Sequence, residues 1–294
     1  MLQRTNTMKI SEILSQGKPT ISFEVYPPKS EELFPKHRAA TMEIAALHPD
    51  FMSVTYGANG GTRKFTFQMA ADIQNEQGVT ALAHITCVTT DKNGIHDRLD
   101  DLKSKGIENV LALRGDIPEG CEFPMKNGYL HANELAADIK SYGDFCVGAA
   151  CYPEGHPEAH SKQEDMENLK LKQDAGCSFL TTQMFFDNSI FYSFLYRIRE
   201  IGITIPVLAG IMPITQRSQI EKAIQLSGTV FPARFLSIAD KFGDNPKAMK
   251  QAGIAYATEQ IIDLVANGVK GIHVYSMNKP DVAAKLMENL SEII

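Results

Sequence analysis

The chain has 294 residues, 44% of them hydrophobic, and a formal net charge of −6. That length suits a large core and fits a single α/β barrel of about 250 residues, while the acidic balance argues against a nucleic-acid partner, which needs a basic surface. No run reaches the roughly 18 apolar residues of a membrane span, and the opening MLQRTNTMKISEIL has no apolar stretch of a secretory signal. The five cysteines (Cys87, Cys121, Cys146, Cys151, Cys177) form no CxxC pair, and four lie in or beside apolar runs. They read as small buried hydrophobes of a reducing compartment, not as a disulfide frame or a metal site.

The elements follow in order. Residues 8–16 predict a short leading helix. Thr20–Val25 is the first strand, ended by Tyr26-Pro27-Pro28, with a helix over 31–47. Phe51–Thr55 is the second, ended by Tyr56 and the Gly-rich run to Gly61. After a helix over 64–77 comes the third strand, Ala81–Cys87, carrying His84. A helix over 92–105 stops at Lys105-Gly106. The fourth strand, Val110–Leu113, runs into Arg114-Gly115-Asp116. A helix over 131–142 precedes the fifth strand, Cys146–Cys151, which ends at Tyr152-Pro153-Glu154-Gly155-His156. Ser161 and Glu164 make a capping-box pattern for the next helix. Phe179–Phe186 reads as the sixth strand, 188–201 as a helix, and Pro206–Ile211 as the seventh strand. Thr215 is placed to cap the helix after it. Residues 228–242 read as an irregular insertion. Asn245-Pro246 starts a long helix to about 266, and Gly271–Tyr275 is the eighth strand, followed by Ser276 to Lys279 and a last helix.

Eight strands alternating with helices predict one closed (β/α)₈ barrel over residues 1–294, with a short N-terminal helix and an insertion between the seventh and eighth strands. GxGxxG and the P-loop pattern are absent, so a nucleotide is not held in the manner of a dinucleotide-binding open sheet. In a barrel the strand tips converge on one face. Here they carry Glu24, Thr55 to Ala58, His84, Arg114 to Asp116, Tyr152 to His156, Gln183, and Ser276 to Lys279. The opposite ends (Thr20, Gly78, Asn109, Asp144, Ile205) carry no comparable set, which points to an active site at the tips.

Glu24 sits between Phe23 and Val25, where a carboxyl is costly to bury unless paired or functional. Burial there raises its pKa and suits a general acid; an inward structural ion pair is the alternative. His84 reads equally as a core histidine. Arg114 can grip phosphate or carboxylate bidentately, or only orient Asp116. Gly57 to Gly61 reads as a phosphate-approach loop or an ordinary turn. Asp165, Asn168 and Lys172 share a helix face, either solvated or turned to an anionic ligand. His156 and His160 are four apart, but Pro157 and the residues between them do not suit a metal site. No Ser-His-Asp order, cationic cysteine niche or strand-embedded lysine is present. The residues themselves lead to a barrel enzyme with an acid at Glu24, a polar ring and a large ligand held partly by phosphate-type contacts.

The segments SFEVYPPK (22–29), SVTYGAN (53–59), HITC (84–87), ALRGD (112–116), YPEGHPEA (152–159), TQMFFD (182–187) and GIMPI (210–214) resemble those of the bacterial methylenetetrahydrofolate reductases, in the same order and spacing. The resemblance runs from about residue 10 to the C-terminus. It implies a flavoprotein with non-covalent FAD across the barrel's C-terminal face. NADH, with NADPH as the other possible donor, and 5,10-methylenetetrahydrofolate would take turns there, yielding 5-methyltetrahydrofolate for methionine synthesis. It implies Glu24 as the acid that opens the folate ring. Asp116 would hold the pterin and act on the flavin by its charge. Gln183, Gln219 and Lys279 would contact substrate. FAD would contact Thr55, Tyr56, Ala58, His84, Arg114, Gly115, Asp116 and Ala132, and also Tyr152, His156, Asp165, Asn168 and Lys172. No metal is implied. The sequence departs from the family pattern at Leu171, where an Arg is familiar, at Ala223, where a Phe covers bound ligand, and at Lys279, where an Arg contacts substrate. The resemblance further implies a cytoplasmic homo-oligomer, dimer or tetramer, without the regulatory domain or S-adenosylmethionine control of eukaryotic relatives. A flavin-free pterin-binding barrel acting as a group transferase is the rival reading; a non-catalytic flavin or folate carrier is another, and Glu24 argues against it.

Overall fold

The computed structural model describes residues 8–57, 62–121 and 123–294. Alternation along each strand decides where its side chains point. In β1 (Thr20–Val25), Ile21, Phe23 and Val25 belong to the apolar layer under the helices. Thr20, Ser22 and Glu24 take the other face, inside the barrel. The same alternation runs through β2 (Phe51–Val54), β3 (Thr80–Thr86), β4 (Asn109–Leu113), β5 (Cys146–Cys151), β6 (Phe179–Thr182), β7 (Val207–Ile211) and β8 (Gly271–Tyr275). Each strand pairs in parallel with the next, and β8 returns to β1, closing the barrel. The closing register sets Ser22 opposite His273 and Glu24 opposite Tyr275; on the other side Glu24 lies opposite Ser53.

The interior is filled from the bottom. Phe51, Leu82, Leu111, Cys146, Phe179 and Leu208, inward residues of β2 to β7, form one apolar cluster. The short helix α1 (Ile10–Ser15) plugs it with Ile10, Ile13 and Leu14. Its first N–H, on Ile10, donates to the Asn109 side-chain oxygen at 2.8 Å. Burying one such side chain contributes about 1.5–3 kcal/mol. Gly148 makes room for the Phe179 ring: a Cβ there would lie 2.3 Å from it. Bulk therefore fills the lower barrel, and the polar residues are left at the tips.

Around the strands lie α2 (Phe34–Ala45), α3 (Arg63–Gln77), α4 (Lys92–Ser104), α5 (Ala132–Tyr142), α6 (Lys162–Asp174), α7 (Asn188–Glu200), α8 (Ser218–Ser227), α9 (Ala233–Phe242), α10 (Pro246–Ala266) and α11 (Pro280–Leu290). The Asn245-Pro246 start of α10 forms as expected: the Asn245 side chain accepts from the N–H groups of Lys247 and Ala248. Among the described residues no helix is long and apolar enough to cross a membrane.

Three expectations need correction. The sixth strand ends at Thr182, not Phe186. Beyond it the apolar run leaves the ladder: Phe185 stacks on Phe191 and Phe186 on Phe231, with ring centres 5.0 and 4.0 Å apart. A short apolar run does not reveal which surface it will cover. The insertion is largely helical, because Phe235 and Ala239, one turn apart, bury against Phe186, Phe231 and Met249. Pro232 stands just before this helix, its carbonyl accepting from the Phe235 and Leu236 N–H groups. Thr215 does not cap α8, which begins at Ser218; its hydroxyl and N–H both donate to the Gln219 side chain instead.

Candidate active site

The barrel mouth holds a carboxylate between two histidines. One carboxylate oxygen of Glu24 lies 3.5 Å from His84 Nε2 and 3.6 Å from His273 Nε2. Ser53 Oγ is 3.4 Å from the same oxygen and 3.3 Å from His273 Nε2. The Glu24 side chain is 18% exposed. Ser22 donates its hydroxyl proton to the Ile272 carbonyl at 3.0 Å, so at the 2.8 Å contact His273 Nδ1 is the donor to Ser22. His273 Nε2 faces Ser53 and Glu24.

These partners reverse the sequence expectation for Glu24. Burial does push its pKa up, but the hydrogen bond to His273, the charges of His84 and His273, and the Ser53 hydroxyl hold it below the ordinary glutamate value. Burial drives His84 down to about 4, so its ring is neutral at pH 7. Its Nε2 has no hydrogen-bond partner. Beside the acid, the Tyr275 hydroxyl donates to the Thr182 carbonyl at 2.6 Å.

Next to this cluster opens a cleft of about 470 Å³. Tyr56 and Thr86 line it, both buried, and neither hydroxyl has a partner among the described residues. Arg114, Gly115 and Asp116 form the β4 wall. Gly115 turns with φ +88°, and a Cβ there would lie 3.0 Å from the Thr86 Cβ. Ala132 lines the cleft at the start of α5, and Tyr152 and His156 line it from the β5 loop, ring centres 4.6 Å apart. Burial raises the Tyr152 pKa and the Asp116 charge adds to it, while a hydrogen bond with Gln183 opposes them.

Asp165, Asn168 and Lys172 all reach the cleft from one face of α6, as their spacing predicts. Asp165, buried, accepts the His156 N–H at 3.2 Å, and Lys172 Nζ donates to the Ala150 carbonyl at 2.8 Å. Burial lowers the Lys172 pKa. Ser161 caps α6, accepting from the Glu164 N–H at 3.1 Å, but the Glu164 carboxylate reaches back to the His160 N–H instead of the cap.

Arg114 grips a carboxylate of the chain other than Asp116. Its two terminal nitrogens fork onto Glu158 at 2.6 and 2.9 Å. That bond raises the Arg114 pKa and lowers that of Glu158. Thr55 and His84 are not part of the cleft wall: Thr55 donates its N–H to the Val25 carbonyl, and His84 faces Glu24. Ala58 and the rest of the Gly-rich loop to Gly61 lie outside the described residues. Gln183 folds its side-chain oxygen onto the Met184 N–H. Gln219 is buried and accepts from Thr215 and Gln216, and Lys279 Nζ donates to Thr215 Oγ1 at 2.7 Å. Leu171 is half exposed and Ala223 buried.

His273, Ser53, Thr86 and Glu158 were not singled out from the sequence. For the first three a signal exists: each holds an inward position in its strand's alternation. Glu158 has none, being a loop carboxylate among several. Among the described residues no cluster of three His, Cys, Asp or Glu side chains is placed to hold a metal ion.

Residues 9–291 match the family model described as methylenetetrahydrofolate reductase. The 5,10-methylenetetrahydrofolate reductase of Escherichia coli (strain K12) is 33% identical, covering 94% of this chain and 92% of that protein. Methylenetetrahydrofolate reductase (NADH) 1 of Arabidopsis thaliana is 35% identical over 97% of this chain. The chain spans about half the length of that protein and of its rice and maize counterparts, 50% in each case. Among solved structures, an uncharacterized protein from Clostridium thermocellum that binds two copies of 5-methyl-5,6,7,8-tetrahydrofolic acid shares the fold, with TM-score 0.67 and 14% identity. That match covers 98% of this chain and 100% of the other.

Proposed function

The chain belongs to the methylenetetrahydrofolate reductase family, and on that premise we propose that it reduces 5,10-methylenetetrahydrofolate to 5-methyltetrahydrofolate. The donor is a reduced nicotinamide, NADH or NADPH, acting through non-covalent FAD. The observation that carries this reading is Glu24, held beside Ser53, His84 and His273 at the edge of the cleft. Binding alone has no use for a largely buried carboxyl in contact with two imidazoles. The names of the relatives and the folate ligands of the Clostridium thermocellum protein support the substrate.

The cleft's chemistry fits FAD. Two buried hydroxyls without partners, on Tyr56 and Thr86, offer hydrogen bonds to a polar heterocycle. Gly115 lets the β4 turn lie close against Thr86. Arg114 and Lys172 are the cations for the phosphates. When bound, FAD would supply the hydride relay between nicotinamide and folate. Asp116 and Gln183, both of which bear on Tyr152, hold the pterin.

Glu24 gives a proton to the leaving nitrogen of the folate's five-membered ring. The C–N bond breaks with its electron pair on that nitrogen, and the remaining iminium carbon is the hydride acceptor. Glu24 must first be protonated, and its pKa lies below the ordinary value. Ser53 and Nε2 of His273 form the path by which a proton reaches it. Exclusion of water by bound ligands strengthens burial and favours the protonated acid. The product is a methyl donor of the kind methionine synthesis consumes.

The test is the anaerobic visible spectrum of the purified, FAD-loaded protein. Addition of NADH or NADPH bleaches the flavin, and methylenetetrahydrofolate restores it. A protein that takes up no FAD overturns the reading in favour of the flavin-free pterin transferase.

A further inference from the structure

Among the described residues, a guanidinium without a counter-ion lies behind the Tyr56 and Thr86 corner of the cleft. Arg98 belongs to the buried stripe of α4, with Ile95, Leu99 and Leu102. It is only 6% exposed. Its Nη1 donates to the Thr86 carbonyl at 2.9 Å, and its guanidinium carbon sits 5.1 Å from the centre of the Tyr56 ring. Its Nε has no partner among the described residues. Among the described residues no carboxylate pairs with it; the ionisable groups that bear on it are Tyr56, Arg63 and Cys87. Arg63 is itself a cation, lying over Phe67.

An aliphatic side chain would fill this stripe position without a desolvation cost, whereas a buried unpaired charge is expensive. The charge also has a definite place. Thr86 follows His84 by two residues on the inward face of β3, and His84 lies 3.5 Å from Glu24. Arg98 therefore stands behind the end of the cleft nearest the acid. The carboxylates of the cleft, Asp116, Glu158, Glu164 and Asp165, come from the β4 to α6 side.

We propose that Arg98 is an electrostatic positioning residue for the redox end of the bound cofactor: its buried positive charge favours a reduced, negatively charged isoalloxazine over the neutral oxidised ring. The inference rests on the flavin reading above. A charge held one side chain away in a poorly solvated wall acts strongly, because little water screens it. The effect passes through Tyr56 and Thr86, so Arg98 need not touch the cofactor. A phosphate in the same corner would carry equal charge in both redox states and would feel Arg98 equally in each.

The experiment compares FAD-loaded wild type with R98M, R98Q and R98K, measuring the two-electron midpoint potential and the dissociation constant of oxidised FAD. R98M and R98Q lose about tenfold or more of the preference for reduced over oxidised flavin, a fall of about 30 mV for a two-electron couple. R98K keeps most of it. R98Q still has a donor for the Thr86 carbonyl and serves if R98M does not fold. An unchanged potential in folded neutral variants overturns the inference, leaving Arg98 as packing. Weaker FAD binding at constant potential also overturns it and assigns the corner to a phosphate. A wild type that takes up no FAD overturns the flavin reading itself, which is a separate result.

Discussion

Both carboxylate oxygens of Glu158 lie in the guanidinium fork of Arg114, at 2.6 and 2.9 Å, across the mouth of the cleft. A phosphate that uses Arg114 must displace this carboxylate, which has the same planar geometry and sign. E158Q should therefore bind FAD more tightly, by about two- to fivefold, since a partly exposed pair is worth ~0.5–1 kcal/mol. The gain should shrink in high salt. Equal binding in a fluorescence titration would show that Glu158 does not compete with the cofactor, and weaker binding that it helps to hold it.

Glu24→Gln keeps the shape of the acid and removes its proton. Reduction of the flavin by NADH should persist within a fewfold of wild type, while the folate half-reaction falls by at least about 10²-fold, as for loss of a general acid. Stopped-flow absorbance reads both halves. A similar loss in both would remove Glu24 from its role.

The hydrogen bond from His273 is the largest influence holding Glu24 below its ordinary pKa, and burial is the largest pushing it up. In H273N burial should win. The alkaline limb of the folate half-reaction, which reports loss of the proton from the acid, should then move to higher pH by about one unit. An unmoved limb would mean that His273 does not communicate with Glu24.

The stability of the empty protein should fall in acid. The unfolded chain binds a proton at His84 near pH 6.5, but the folded protein does so only near 4. Between those values the unfolded state holds more protons, so stability declines as pH drops through the window, by up to ~3 kcal/mol for that shift. Glu24, with its folded pKa lowered, adds loss in the same direction below its ordinary value of 4.5. Urea midpoints between pH 7 and 4 should show the decline, and H84Q should flatten it. Parallel curves for the two proteins would exclude His84 as the source.

Gly115 stands at φ +88°, with the Thr86 side chain 3.0 Å from where a Cβ would be. G115A should cost about 1–3 kcal/mol from the left-handed backbone and the contact together, and weaken FAD binding by displacing the β4 turn. An unchanged thermal midpoint would show that the turn relaxes freely.

Several parts of the site were legible because their information is local. The spacing of Asp165, Asn168 and Lys172 places them on one helix face wherever that helix goes. Asn245-Pro246 begins a helix by its own hydrogen bonds. The strand-tip segments that carry the family resemblance are continuous stretches of chain. The run 179–186 was misread at its end, and 228–242 as irregular instead of helical, because the surfaces they cover, around Phe191 and Met249, are supplied from elsewhere in the sequence.

The sequence by itself determined the alternation of eight strands with helices, the inward polar face of β1, and the family. These follow from side-chain periodicity and short motifs. Only closure of the barrel decided the state of the chemistry. It brought His84 from β3 and His273 from β8 against Glu24 on β1, turning an acid expected to be raised into one held low. It set Glu158 in the fork of Arg114 and left Arg98 buried without a counter-ion. A pKa and an ion pair depend on distances across the fold, and those distances exist only when β8 pairs with β1.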